Sequence, residues 1–175
     1  CQYNRPVVVM DALFESTEVN AYIYSNFYQG GQLAVQHLTD CGCRNIVCIR
    51  GPQRTFSGRS RYLGYRDFCW AHGIEEHFID CEYNFQAGLQ AAETLLENYP
   101  NVDGIIACND VVAISVYKTL YKRHIPVPDQ VQLIGFDDIA LSALVSPELT
   151  TIHQPVRDMG IKAAELILRQ PHSPK

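Results

Sequence analysis

Two adjacent carboxylates, Asp137 and Asp138, directly follow the apolar run Val131–Phe136. An apolar run of this kind is typical of a buried strand, and an acid at the end of a buried strand suggests a functional edge. Ionised carboxylates accept hydrogen bonds from hydroxyl or amino groups of a ligand. Asp137, the first acid of the pair, is predicted to point at a ligand.

Three further apolar runs end on polar or turn-forming residues. Asp11 follows "VVVM", Gly51 follows "IVCIR", and Asn109 and Asp110 follow "IIAC". In an open parallel sheet ligands bind beyond the carboxyl ends of the strands, so the residues at these positions are expected to lie at the binding site. Asp110 precedes the segment "VVAISVYKTL" and is predicted to cap a helix, whereas Asn109 is predicted to face a ligand.

Four arginines, Arg54, Arg59, Arg61 and Arg66, lie in the segment 51–68 that follows one of these strands. The segment lacks the Gly-x-Gly-x-x-Gly and Gly-Lys-Ser/Thr patterns of nucleotide loops, which disfavours a nucleotide-phosphate site. Arginines that open a helix usually form a solvated face, and this is the prediction for Arg54, Arg59 and Arg66. One arginine directed into the crevice could donate paired hydrogen bonds to vicinal hydroxyls or to a carboxylate.

Two aromatic residues, Tyr83 and Phe85, follow another apolar run in "CEYNFQAG". A flat aromatic face beside carboxylates suits a sugar, whose C–H face stacks on the ring while polar side chains hold its hydroxyls. Packing of both rings in the core or in a lid is the alternative.

Catalytic and metal-binding motifs are missing from the sequence. There is no Gly-x-Ser-x-Gly elbow and no cluster with metal-ligand spacing, so we expect no metal, no cofactor and no enzymatic activity. Asp11 and Asp137 could in principle divide the acid and base roles of a glycosidase, and a sugar-processing enzyme stays open as an alternative.

Short apolar runs alternate with longer stretches of helical period along the chain. The predicted strands are Val7–Met10, Ile46–Ile49, Phe78–Cys81, Gly104–Cys108, Val131–Phe136 and Thr150–Ile152. The repeated order of strand, helix and strand predicts an α/β fold, a doubly wound parallel sheet with helices on both faces. The strands should therefore be central and buried.

Composition excludes several functional classes. The 175 residues carry a formal net charge of −5 and no Lys/Arg cluster, so the chain is not expected to hold nucleic acid by itself. No apolar run reaches the roughly 18–20 residues of a membrane helix, and no secretion signal is present, which suggests a cytoplasmic protein without membrane contact. Seven cysteines without a Cys-x-x-Cys pattern predict reduced, partly buried thiols.

An ordered series of motifs resembles the effector-binding domain of the lactose/galactose-repressor family of bacterial transcription regulators, in particular its ribose-repressor-like members. The motifs include "PVVVMD", "SGRSRYLGYRDF", "GIIACNDVVAISVYKTL" and "LIGFDDIALSALVSPELTTIHQP". The resemblance implies a periplasmic-binding-protein-like fold, in which two doubly wound subdomains enclose a small sugar in a cleft. It implies ligand contacts from Asp11, Ser57, Arg61, Tyr83, Asn109, Asp137 and Gln154. Asp138 would cap or brace the turn that follows.

The resemblance also implies a domain organisation. Residues 1–27 would be a remnant of the N-terminal subdomain, 28–153 the C-terminal effector-binding subdomain, and 154–175 a crossover and a helix of the N-terminal subdomain. Operator DNA would be bound only through a helix-turn-helix domain absent from this chain. Subunits would form a homodimer, with the segments 140–147 and 111–122 as candidate contacts.

One apolar helix face would lack its covering subdomain in this arrangement. The helix expected at about 157–169 carries Ile161, Ala164 and Leu168 on that face. The strand at 7–10 would lose its cover in the same way. Exposed apolar surface of this size tends to find a partner, so we expect both ends to be disordered, repacked or in contact with another copy. A periplasmic sugar-binding protein of a transporter shares the architecture and is the alternative function.

Overall fold

The computed structural model describes residues 6–13 and 16–169. Within this part of the chain, none of the helices combines the length and the apolar character needed to cross a lipid bilayer. Cys1, one of the seven predicted thiols, lies outside the described residues.

The chain divides into two compact units. The larger unit spans Phe27–Gln154, and the smaller unit combines Cys1–Asn26 with Pro155–Lys175. The expected range of this unit is 28–153, so the observed unit is one residue longer at each end. In chain order the elements are β1 (Val8–Met10), β2 (Ala21–Ile23), α1 (Phe27–Asp40), β3 (Ile46–Arg50), α2 (Phe56–His72), β4 (His77–Asp80), α3 (Phe85–Asn98), β5 (Gly104–Ala107), α4 (Asp110–Lys122), β6 (Gln132–Asp137), a 3-10 turn (Ala140–Leu144), β7 (Thr150–His153) and α5 (Val156–Arg169).

The larger unit is built on a five-stranded sheet in the order β4-β3-β5-β6-β7, with every neighbouring pair parallel. Helices α1 and α2 pack on one face, and α3 and α4 pack on the other. The predicted doubly wound parallel sheet with helices on both faces is therefore confirmed. β6 runs one residue further than predicted, so that Asp137 is the last residue of the strand.

Each face of the sheet has its own apolar core, because the strands of a parallel sheet are covered on both sides. The face under α3 and α4 includes Val47, Ile49, Leu95, Ile105, Val112, Val116, Leu120 and Leu133. The face under α1 and α2 includes Val35, Leu38, Ile46, Cys48, Tyr65, Ile106, Ile134 and Phe136. Alternate residues of β3, β5 and β6 thus point to opposite cores, as the period of two in a strand requires.

Polar side chains fix the starts of the helices at the carboxyl ends of the strands. Thr55 caps α2 by accepting a hydrogen bond from the backbone N–H of Gly58 at 3.1 Å, and Asn84 caps α3 by accepting from Ala87 at 2.9 Å. Gly73 ends α2 in the left-handed conformation with φ of 67°, which glycine adopts without a steric penalty.

Helices α1 and α2 approach each other closely through two glycines. A Cβ atom at Gly31 would lie 2.0 Å from the carbonyl oxygen of Arg61, and a Cβ at Gly64 would lie 2.0 Å from that of Tyr28. Backbone therefore packs directly on backbone at this crossing, and the two helices can approach this closely only if both positions lack a side chain.

The smaller unit consists of a parallel pair, β1 and β2, on which α5 packs. β2 is not predicted from the sequence, because three residues are too few to show a period. Met159 and Ala163 are the buried residues of α5, whereas Ile161 and Leu168 of the predicted apolar face are exposed. The described part of this unit leaves that face uncovered.

Replacing Gly64 by Ala is expected to lower the free energy of unfolding by about 1–3 kcal/mol, because the added methyl forces the two helices apart. Urea denaturation followed by circular dichroism measures the change.

Gly160→Ala is the matched control, since a Cβ at Gly160 in the middle of α5 meets nothing within 4 Å. This substitution is expected to raise the free energy of unfolding by about 0.5–1 kcal/mol. Equal effects of the two substitutions would contradict the close helix contact.

Candidate functional site

The sheet of the larger unit has a topological switch point at its carboxyl edge. From β3 the chain passes through α2 to β4 on one side, and it then returns through α3 to β5 on the other side of β3. Connections that diverge in this way leave a crevice between the carboxyl ends of β3 and β5, which is where open α/β sheets bind ligands.

Arg61, from the second turn of α2, reaches the carboxyl ends of β5 and β6 and has only 8% of its surface exposed. One terminal nitrogen donates to the carbonyl oxygen of Cys108 at 2.7 Å, and the other donates to Oδ1 of Asp137 at 2.7 Å. The guanidinium carbon lies 4.9 Å from the ring centre of Phe27 and 4.7 Å from that of Phe136. Nε is buried and has no hydrogen-bond partner among the described residues. The cation is thus withdrawn from water, and its ion pair and hydrogen bond offset part of that cost.

Asp137 and Asp138 form a left-handed turn at the end of β6. Their φ angles are 102° and 56°. Positive φ is uncommon outside glycine and costs about 1–3 kcal/mol per residue where it is strained, although aspartate tolerates it better than most residues. The side chain of Asp137 is 29% exposed, so its carboxylate has acceptor capacity left for a ligand. The carboxylate of Asp138 instead contacts Nδ1 of His153 at 2.8 Å.

The capping prediction for Asp110 is wrong, because Asn109 is the residue that caps α4. The Asn109 side chain accepts a hydrogen bond from the backbone N–H of Val112 at 2.9 Å, and its backbone is extended, as a capping residue requires. Asp110 is already the first helical residue. Its buried carboxylate accepts from the N–H of Ile139 at 2.9 Å and from the hydroxyl of Thr151 at 2.6 Å. The Oδ1 atom of Asn109 is committed to the cap, so its amide N–H groups are the ones left for a ligand.

Burial sets the protonation behaviour of groups at this edge. It raises the pKa of the Asp110 carboxyl, and the hydrogen bonds from Thr151 and Ile139 oppose that rise. The pKa of the Cys108 thiol is raised by its hydrogen bond to Cys81 and by burial, which makes this thiol a poor nucleophile. In residues 6–13 and 16–169, no group of three or more His, Cys, Asp or Glu side chains could hold a metal ion.

Ser57 and Tyr83 meet at the same edge, where Ser57 Oγ lies 3.3 Å from the Tyr83 hydroxyl. Two glycines make room for the tyrosine, since a Cβ at Gly51 would lie 2.6 Å from its ring and a Cβ at Gly58 would lie 2.9 Å from its hydroxyl. The ring packs against the core under α3 and α4. The Tyr83 ring therefore packs on the core, which is one of the two roles that the sequence leaves open.

Two predicted contacts come from other parts of the chain. Asp11 belongs to the smaller unit, has φ of 54°, and holds Oδ1 3.5 Å from the backbone nitrogen of Ser25. Gln154 is the last residue of the larger unit and directly follows β7.

The other arginines of the segment 51–68 are exposed, which confirms their predicted solvated positions. Arg54 pairs with Glu82 at 2.7 Å, and Arg66 pairs with Asp67 at 2.7 Å. Arg59 lies on α2 with Arg66 and is also exposed. Exposed pairs of this kind contribute little to stability.

Sequence reasoning misses the surroundings of Arg61. The rings of Phe27 and Phe136 and the carbonyl oxygen of Cys108 complete its environment. Phe136 stands directly before Asp137, so its position next to a strand end is a usable signal. Phe27 is distant from Arg61 in the sequence. The acceptor at Cys108 is a backbone carbonyl, which every residue has, so the residue type does not indicate it.

The sequence matches a known protein family and is similar to several named proteins. The family of the periplasmic binding protein-like domain matches residues 35–175. The ribose operon repressor of Escherichia coli is 34% identical over 169 residues, which cover 94% of this chain and 51% of that protein. The chain thus spans about half the length of the curated relatives it matches.

Solved structures show the same relationship. A periplasmic binding protein/LacI transcriptional regulator from Alkaliphilus metalliredigens, complexed with D-xylulofuranose, is 34% identical with a TM-score of 0.81, covering 94% of this chain and 61% of that one. A LacI family transcriptional regulator from Enterococcus faecalis with bound ribose is 29% identical with a TM-score of 0.82, covering 93% of this chain and 59% of that one. The chain therefore belongs to the periplasmic binding protein-like domain family, and nearly all of it is similar to LacI-family transcriptional regulators.

Proposed function

We propose that this chain is the sugar-sensing part of a cytoplasmic bacterial transcriptional repressor, and that its effector is a small, ribose-like sugar. Support comes from the similarity to a ribose operon repressor and to regulators solved with ribose or D-xylulofuranose. The observation that carries the proposal is the buried guanidinium of Arg61, held against Asp137 at the carboxyl edge of the sheet.

The proposed chemistry of binding uses groups that are already in place. Each terminal nitrogen of Arg61 carries two N–H groups, so a second donor on each is left for a sugar hydroxyl. Asp137 accepts hydrogen bonds from neighbouring hydroxyls. Because Arg61 and Asp137 hold each other before the sugar arrives, little conformational entropy is lost on binding. The amide of Asn109 and the hydroxyls of Ser57 and Tyr83 supply further contacts.

The remaining contacts are assigned to residues at the ends of the two units. Asp11 and Gln154 would each offer polar atoms to the sugar, an aspartate carboxylate and a glutamine amide. Asp138 is left out of the assignment because its carboxylate is engaged with His153.

Signalling requires that the sugar bind one conformation of the intact protein more tightly than another. Such a ligand shifts the equilibrium between the conformations and so changes the affinity of a distant DNA-binding domain. This chain carries a net charge of −5, so operator binding is assigned to a helix-turn-helix domain outside this sequence. For ribose-type regulators we expect the sugar to release the operator.

A homodimer is the proposed assembly, through the 3-10 turn and α4. Leu141, Leu144 and Tyr121 are 53%, 77% and 75% exposed in this region. The hydroxyl of Tyr117 donates to the carbonyl oxygen of Ser146 and so ties α4 to the segment around the turn. Exposed apolar side chains of this kind favour a protein interface.

The two alternatives are a periplasmic sugar-binding protein and a sugar-processing enzyme. Both are disfavoured because the similar proteins from Escherichia coli and Enterococcus faecalis are named as a repressor and a transcriptional regulator. The geometry of the site agrees with binding, since the Asp137 carboxylate is engaged in an ion pair with Arg61 at 2.7 Å.

Replacing Arg61 or Asp137 by Ala is expected to weaken ribose binding by about 1–3 kcal/mol, roughly a 5- to 150-fold rise in Kd, because hydrogen bonds to a charged group are lost. Isothermal titration calorimetry of the full-length protein with ribose and related pentoses measures the change.

Arg59→Ala is the control on the same helix and is expected to leave the affinity unchanged. Thermal denaturation establishes that each variant is folded. Full ribose affinity in the Arg61 and Asp137 variants would refute the assignment of the site.

All seven cysteines are expected to titrate as free thiols when the protein is purified without reductant and denatured in a thiol reagent. The six described cysteines are all free, and five of them are buried. A deficit of thiols in pairs would indicate disulfides and favour the periplasmic alternative.

A further inference from the structure

We propose that Asp110 and Thr151 are positioning residues of the sugar site, which hold the left-handed turn at Asp137-Asp138 and so aim the Asp137 carboxylate without touching the sugar. The inference rests on the proposed function of this edge. It assigns a role to the buried carboxylate of Asp110, which makes no proposed contact with the sugar.

The turn needs an external restraint because its backbone is unfavourable. Two consecutive residues with φ of 102° and 56° reverse the chain directly after a central strand. Such conformations persist only where the surrounding structure fixes them. Arg61 contacts the side chain of Asp137, and that contact leaves the backbone of the turn to be held by other groups.

Asp110 and Thr151 supply that restraint through three hydrogen bonds in series. Oδ2 of Asp110 accepts from the N–H of Ile139 at 2.9 Å, and Oδ1 accepts from the Thr151 hydroxyl at 2.6 Å. The Thr151 oxygen in turn accepts from the N–H of Asp138 at 3.3 Å. A hydroxyl has a single hydrogen, so donation to Asp110 leaves the oxygen free to accept from the turn.

Gly135 admits the carboxylate of Asp110 to this position. A Cβ at Gly135 would lie 2.3 Å from Oδ1 of Asp110. Gly135 is the register partner of Thr151 between β6 and β7, so the carboxylate lies above that pair. Glycine weakens a central strand and is expected there where another group approaches closely. Asp110 is fully buried, and this placement accounts for both its burial and the glycine.

The same hydrogen bonds connect the sugar-binding residue to β7. Thr151 lies in β7, and His153 at the end of that strand contacts the carboxylate of Asp138 at 2.8 Å. Gln154 follows, and the chain then leaves the larger unit at Pro155. These hydrogen bonds therefore link the turn to the strand that leads out of the unit.

Thr151→Val and Thr151→Ser test the inference in the full-length protein. Valine keeps the shape and removes the hydroxyl, and it is expected to weaken ribose binding by about 5- to 10-fold. Serine keeps the hydroxyl and is expected to stay within about twofold of the parent, as the matched rescue. Gly135→Ala, which displaces the Asp110 carboxylate, is expected to reproduce the loss seen with valine.

A double-mutant cycle with Asp137→Ala separates positioning from general destabilisation. If the network acts through Asp137, Thr151→Val has little further effect on ribose affinity once Asp137 is replaced. The same fold-loss in both backgrounds overturns the inference, as does an unchanged affinity in Thr151→Val.

Hydrogen exchange without sugar keeps the inference distinct from the proposed function. Peptides containing the amides of Asp138 and Ile139 are expected to exchange faster in Thr151→Val than in the parent or in Thr151→Ser. A parent protein that binds no sugar refutes the proposed function. In that case faster exchange in the valine variant supports the restraint of the turn, and unchanged exchange overturns it.

Discussion

A guanidinium removed from water has to be satisfied where it lies, and the carboxyl edge of the larger unit is arranged around that requirement. Arg61 finds a carbonyl oxygen and a carboxylate at 2.7 Å each, and the ring centres of Phe27 and Phe136 lie 4.9 and 4.7 Å from its guanidinium carbon. Its own carbonyl group lies against Gly31 at the closest point between α1 and α2. Helix packing thus fixes the backbone of Arg61, and the ion pair with Asp137 fixes its guanidinium group. Burial of Arg61 lowers the local dielectric constant and so strengthens its polar contacts.

The sequence indicates the fold and the edge well, because both follow from local patterns. Apolar runs that alternate with helical segments are enough to predict a parallel sheet, and the residues just after those runs include Asn109 and Asp137. Arg61 could be singled out only through family motifs, since four arginines share one segment and nothing local distinguishes the buried one. Asn109 rather than Asp110 caps α4 because the helix begins one residue before the apolar stretch does.

Close approaches in space explain most of what the sequence leaves undecided. Gly135 looks like a weak point in a central strand until the carboxylate of Asp110 is placed above it. The strand β2 lacks the run of valines that marks β1, and its parallel pairing with β1 is a contact that the sequence does not indicate. Tyr83 similarly divides its ring and its hydroxyl between two roles, and only the packing of Gly51 and Gly58 shows how.

The smaller unit is interrupted in sequence, because β1 and β2 precede the larger unit and α5 follows it. During synthesis the two strands leave the ribosome long before the helix that packs on them, whereas the larger unit is complete once β7 has emerged. Vectorial translation therefore sets an order of assembly in which the larger unit folds first and shortens the effective loop that α5 has to close.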